Sequence, residues 1–200
     1  MLIIPLINGD NAQKCVSVTR ILRGFVSIIS INIGQCNTNL KELIKLFNKQ
    51  QSEIELHIEG PDYEKRLGDI MNAHSDVNIG KVFFYTNNPA QVENDITNIR
   101  IFGIQPGLLI NKENYNKPEI VNKFEYAIIE VSRVPDYIEI YKYIKNNDFK
   151  GSLLLNFGKE RVPQDIITNT SIDGVYIDVT TNPTIKDTIS SLRRAANSIY

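Results

Sequence analysis

The chain has 200 residues, 42% hydrophobic and 22% charged, which fits one compact domain (residues 1–200) with a full core and leaves no second domain to find. Its 22 Lys and Arg are scattered and balanced by 23 Asp and Glu, so there is no basic footprint for nucleic acid and no acidic tail. Cys15 and Cys36 fit neither a metal spacing nor a secreted disulfide framework, and the opening MLIIPLINGD is too short in apolar residues for a signal peptide or a membrane span, so a cytoplasmic protein with no membrane partner is expected.

Leu2 to Ile7 is an apolar run closed by Asn8-Gly9-Asp10, which predicts a strand and a turn, and Cys15, Val18 and Leu22 then give a weak helical stripe. Phe25 to Ile33 predicts a second strand ending in Ser30-Ile31-Asn32-Ile33-Gly34. Leu40, Leu43, Ile44 and Phe47 follow at i, i+3, i+4 and i+7, a helix face capped by Thr38 or Asn39. In the third unit Ile54, Leu56 and Ile58 alternate with Glu55, His57 and Glu59, the two-residue period of a strand. Gly60-Pro61 turns that strand into a helix with Tyr63, Leu67, Ile70 and Met71 on one face.

Lys81 to Tyr85 predicts the fourth strand, and Asn87-Asn88-Pro89 opens a helix with Val92, Ile96 and Ile99 on one side. Leu108 to Ile110 is the fifth, ending at Asn111-Lys112 before a short helical pattern around Pro118, Ile120, Val121 and Phe124. Tyr126 to Val131 is the sixth, followed by Tyr137, Ile140, Tyr141 and Ile144 at helical spacing and a turn at Asn146-Asn147-Asp148. Leu153 to Asn156 is the seventh, then Gly158 and a short helix through Ile166 and Ile167. Val175 to Val179 is the eighth, and Asn182-Pro183 starts a last helix with Ile185, Ile189, Leu192 and Ala196 buried.

Eight strand–helix units recur at roughly 25 residues, the spacing of a supersecondary repeat. Continuous apolar strands joined by helices pair in parallel, and eight of them with nothing left over predict a small (β/α)8 TIM barrel with short loops. A doubly wound open sheet is the alternative, with fewer strands and helices on both faces. In either fold the ligand site lies at the C-terminal ends of the strands, where His57 falls, either as a ligand or acid/base residue or, more commonly, as a partly buried polar residue satisfied by a neighbouring Asn.

Two sets of polar residues stand at such ends. Asn8, Asn32, Asn87, Asn111 and Asn156 would form a ring of amides able to hydrogen-bond a neutral, hydroxylated ligand; Asn is equally at home in turns, and coincidence is an equal reading. Glu130 and Asp178 each interrupt an apolar run. They are either a general acid/base pair at the mouth or, more commonly for such groups, carboxylates paired with Lys159, Arg133 or the amides. No Ser-His-Asp order, phosphate-binding glycine loop or Cys-His metal spacing is present.

In their order, Ile3-Ile4-Pro5, Ser30-Ile31-Asn32, Ile54-Glu55-Leu56-His57-Ile58 with Pro61, Val82-Phe83-Phe84-Tyr85 and Gly107-Leu108-Leu109-Ile110-Asn111 resemble the strands of ribulose-phosphate 3-epimerase, an isomerase of carbohydrate metabolism. That family holds a divalent metal with two histidines and two aspartates, and the aspartates move the proton. The resemblance puts Ser30 and Asn32 at its His-x-Asp pair, His57 at its strand-three histidine and Asn156 at its strand-seven aspartate. Carboxamides cannot exchange that proton and are poor metal ligands, so the resemblance implies a divergent barrel whose catalysis is lost, with His57 the one retained ligand type.

No cofactor is predicted; a divalent metal would require a rebuilt site. The expected partner is a small molecule, a sugar or sugar phosphate, held by Ser30, Tyr85, Asn111, Arg133, Gly158 and Lys159 at the mouth. The alternatives are an active isomerase using Glu130 and Asp178, and a homo-oligomeric or regulatory subunit acting through helix faces such as Tyr137, Tyr141 and Tyr143. His74, in a loop, is given no role.

Overall fold

The computed structural model describes residues 2–7, 17–18, 27–33, 53–58, 68–69, 72, 78–158, 163, 166 and 171–180. Eight parallel strands close into a barrel in sequence order. They are β1 (Leu2–Ile7), β2 (Ile28–Asn32), β3 (Glu53–Ile58), β4 (Ile79–Phe84), β5 (Gln105–Ile110), β6 (Tyr126–Glu130), β7 (Ser152–Asn156) and β8 (Gly174–Asp178). Closure is made by β1 against β8, Leu2 to Leu6 facing Gly174 to Asp178, which rules out the open sheet.

Three strands begin across a glycine or proline ahead of their apolar runs. β4 starts at Ile79, β5 at Gln105 and β8 at Gly174, each taking in a glycine or proline that reads as a break in sequence. Gly107 shows why: a Cβ there would lie 2.3 Å from Cδ1 of Phe83, whose ring occupies that space inside the barrel. The glycine is a packing residue, not a stop.

Three helices are described: α1 (Pro89–Ile101), α2 (Pro118–Val121) and α3 (Val134–Asn146). Pro89 and the Asn88 side chain, whose Oδ1 accepts from Ala90 N–H at 3.1 Å, start α1 as the Asn-Asn-Pro signal predicts. The pattern around Pro118 yields only one turn, because Phe124 already leads into β6. The helices expected after strands one, two, three, seven and eight fall mainly outside the described residues; Val18 and Ile166, which are described, are buried.

The strand alternation divides the core in two. Ile29, Ile31, Ile54, Leu56, Ile58, Val82, Phe84, Leu108, Ile110, Ala127, Ile129, Leu153 and Leu155 point outward and pack with Val92, Ile96, Ile99, Tyr137, Ile140 and Ile144 of the helices. Burying each large aliphatic side chain there stabilises the fold by about 1.5–3 kcal/mol relative to exposure. Ile4, Leu6, Phe83, Leu109, Ile128, Leu154 and Tyr176 fill the barrel itself.

Because barrel strands tilt, inward residues of alternate strands share levels. From the C-terminal mouth downward, the pairing register gives Asn32, Tyr85, Glu130 and Asp178, then Leu6, His57, Leu109 and Asn156, then Ser30, Phe83, Ile128 and Tyr176, then Ile4, Glu55, Gly107 and Leu154. Polar groups crowd the top two levels.

The lower barrel holds a charged knot. Lys81 Nζ lies 2.9 Å from Glu53 and 3.1 Å from Glu55, and the Tyr176 hydroxyl donates to the other Glu55 oxygen at 2.7 Å. Glu55 is 1% exposed, so its charge is tolerable only because these partners meet it. Burial pulls the Lys81 pKa down, but the hydrogen bonds and charges of Glu53 and Glu55 outweigh it and leave the ammonium above its ordinary value. Burial first, and then the Glu55 charge, hold the Tyr176 phenol protonated far above its usual range.

Candidate functional site

His57 sits on the second level with its ring 4.9 Å from Tyr176 and 5.3 Å from Phe83, both edge-to-face. Its Nε2 lies 2.8 Å from Ser30 Oγ, and both residues are fully buried. Nδ1 meets no hydrogen-bond partner among the described residues. Burial depresses the imidazole pKa to about 3, so the ring is neutral at physiological pH. We assign its proton to Nε2, donated to Ser30, because a bare lone pair on Nδ1 costs less than an orphaned N–H. A neutral imidazole so held is a weak base.

Asn156 is engaged on both sides: Nδ2 donates to Glu130 Oε1 at 3.1 Å and Oδ1 accepts Gly158 N–H at 3.1 Å. Gly158 adopts φ +64°, a left-handed conformation that lets the chain fold back over the carboxamide. On the next strand, Asp178 Oδ1 accepts both Thr180 N–H, at 2.7 Å, and the Thr180 hydroxyl. Asn32 is 1% exposed on the same level as Asp178 and Glu130. The Tyr85 hydroxyl donates to Glu113 at 2.9 Å, and burial together with that carboxylate pushes its pKa up to about 12.

Ser30, Asn32, His57, Tyr85, Glu130, Asn156, Gly158 and Asp178 are therefore brought to one end of one barrel. Asn111 and Arg133 lie in loops at the same end, each bonded to close neighbours in sequence. Asn111 builds the turn after β5, its Oδ1 accepting Glu113 N–H and its own N–H donating to Asn114 Oδ1. Arg133 is exposed just ahead of α3 and forks onto Asp136 through Nε and Nη2 at 2.8 and 3.1 Å. The ring of amides shrinks accordingly: Asn87 is exposed and holds Lys117, while Asn8, Lys159 and His74 lie outside the described residues. Tyr137 is buried and stacks on Tyr141, whose hydroxyl accepts Ser171 N–H, and Tyr143, half-buried, packs edge-on against Tyr115.

Glu55, Lys81, Phe83, Tyr176 and Asn114 carry much of this architecture and were not singled out by sequence. The signal existed for one of them, since the alternation that turns His57 inward also turns Glu55 inward; Lys81 meets Glu55 only through the register of β3 and β4. Asn114 gave none: fully buried, it donates to Thr86 and Leu109 carbonyls and accepts from Asn111, ties that only the folded loop brings together.

The metal of the epimerase resemblance does not fit these residues. Its positions carry a hydroxyl, two carboxamides and one imidazole already bonded to the hydroxyl, and among the described residues no three His, Cys, Asp or Glu side chains gather to hold an ion. Among the described residues, too, no helix is long and apolar enough to cross a membrane.

Closed parallel strands, intervening helices and a polar C-terminal mouth define a (β/α)8 TIM barrel. Among solved structures the chain is similar to the tryptophan synthase α-subunit of the hyperthermophile Pyrococcus furiosus, with TM-score 0.70 and 11% identity over 96% of this chain and 95% of that one. A mutant of that subunit superposes with TM-score 0.71 and 10% identity over the same shares. At this identity the likeness is one of fold. No family model matches the chain, and no curated protein matches it in sequence.

Proposed function

We propose that this barrel is an epimerase-like scaffold that binds a small hydroxylated molecule, a sugar or a sugar derivative, at its C-terminal mouth and does not carry out metal-dependent epimerisation. The observation that carries this reading is the set Asn32, Glu130 and Asp178 on the top level, over Asn156 and a neutral His57 bonded to Ser30. Carboxamides and carboxylates on neighbouring strands offer paired donors and acceptors to hydroxyl groups, while Leu6 and Leu109 on the level below supply apolar contact. His57 is packed between aromatic rings and cannot reach out as a ligand without repacking the centre of the barrel.

Titration of the protein with pentoses and ketoses, followed by calorimetry and by melting temperature, tests this. Saturable binding weakened at least about tenfold in Asn32→Ala or Asn156→Ala is expected, the loss of one or two buried hydrogen bonds. Turnover of ribulose 5-phosphate in a coupled epimerase assay with added zinc, iron or manganese would overturn it.

A second reading is favoured by the placement of Glu130 and Asp178 on either side of Asn156: an isomerase in which these two carboxylates exchange the proton. Turnover abolished in both Glu130→Gln and Asp178→Asn would establish it.

A further inference from the structure

Two backbone donors stand where neighbouring strands give way to their loops at the mouth, Gly158 N–H beyond β7 and Thr180 N–H beyond β8. In a (β/α)8 barrel, N–H groups in the loops after strands seven and eight form a natural cradle for a phosphate. Here both are taken from within. Asn156 Oδ1 accepts the first at 3.1 Å, and Asp178 Oδ1 accepts the second at 2.7 Å along with the Thr180 hydroxyl. One N–H and one O–H converging on a single anionic oxygen are the contacts a phosphate oxygen would receive.

The described cations at the rim are committed elsewhere. Arg133 is held by Asp136, Lys112 by Asp136 and Glu139, and Lys117 by Asn87. A phosphate reaching this corner would meet a carboxylate and a carboxamide oxygen in place of donors.

We propose that Asp178 is a built-in stand-in for an anion, its carboxylate occupying the phosphate position beyond β8, so that the mouth excludes phosphate and phosphate esters and admits unphosphorylated hydroxylated ligands. The ligand class rests on the function proposed above; the occupation of the anion position does not.

Inorganic phosphate titrated into the 15N-labelled protein, with the Thr180 and Gly158 amides as reporters, is the experiment. In the wild type these amides stay unmoved through the millimolar range. In Asp178→Gly, which removes the carboxylate oxygen that accepts from Thr180, phosphate shifts these amides and binds about tenfold or more tightly than to wild type. Asp178→Asn keeps an acceptor oxygen for Thr180 and gains less. Saturable movement of the wild-type Thr180 amide overturns the proposal, as does a folded Asp178→Gly protein with no gain. Should Asp178→Gly fail to fold, the wild-type titration decides alone. Ribulose and ribulose 5-phosphate form the second arm: binding of ribulose alone supports exclusion of the ester, and equal binding of both overturns it. If neither binds, the pocket fails as a sugar site, and the inorganic phosphate titration still decides Asp178.

Discussion

His57 protonates in the folded barrel only near pH 3, against 6.5 when unfolded, because burial strips the imidazolium of water. Between those values the unfolded chain holds a proton that the folded chain refuses. The stability this represents is complete above pH 6.5 and is lost as pH falls toward 3, at about 1.4 kcal/mol per unit once well below 6.5. Urea unfolding at pH 7 and pH 5 should therefore differ by about 2 kcal/mol from this residue, and the difference should vanish in His57→Gln, which keeps a group able to bond Ser30. The same pH dependence in the variant would mean that the ring is solvated. Lys81 is the opposite case, a cation kept because Glu55 needs it. Lys81→Met leaves a carboxylate that is 1% exposed without its counter-charge and should cost about 3–5 kcal/mol, with much of the loss recovered in Lys81→Met combined with Glu55→Gln. Thermal melts of the two variants separate charge burial from simple loss of packing.

At the scale of elements, the start of α1 was legible in sequence, since capping is a local matter. Asn88 caps α1 as its position before Pro89 implies, and Asn88→Ala should lower stability by about 1 kcal/mol. Asp148, beyond α3, adopts φ 63°, a conformation in which a Cβ crowds the backbone; its side chain meets Lys150 in an exposed ion pair of little weight. Asp148→Gly should accordingly stabilise the protein by about 0.5–1 kcal/mol in denaturant unfolding, and no change would show that the Asp side chain contributes more there than its geometry suggests. Strands were legible wherever one apolar run met one turn. They were misjudged at Ile79, Gln105 and Gly174, where a glycine inside the strand makes room for a residue of the neighbouring strand, as Gly107 does for Phe83. Tyr137 read two ways, on the helical face with Ile140 and Ile144 and in a docking patch; helical spacing marks a face, but only the neighbouring elements decide whether that face is covered, and here it is.

At the scale of the whole molecule, barrel closure could be read from eight repeats because the fold follows from the count and direction of strands. The interior could not be read, since levels arise from register between strands and no local pattern encodes register. This is why His57 read as a strand-end residue that either faces a ligand or bonds a neighbouring Asn, and is found enclosed by Ser30, Phe83 and Tyr176. The consequence bears on rebuilding the epimerase site by Ser30→His, Asn32→Asp and Asn156→Asp together. Ser30 has no exposed surface, and an imidazole in its place would overpack the level that already holds Phe83 and Tyr176, costing about 1–3 kcal/mol. Asp at position 32 would bury a carboxylate, and Asp at position 156 would turn an oxygen toward Glu130 Oε1 where Nδ2 now donates. Together these approach the 5–15 kcal/mol that holds an ordinary domain, so the triple variant should melt about 10–20 °C below wild type, and zinc or manganese should not restore it. A triple variant that melts near wild type and is raised by either metal would show that the centre of the barrel can open around His57, and that the epimerase geometry survives beneath the packed one.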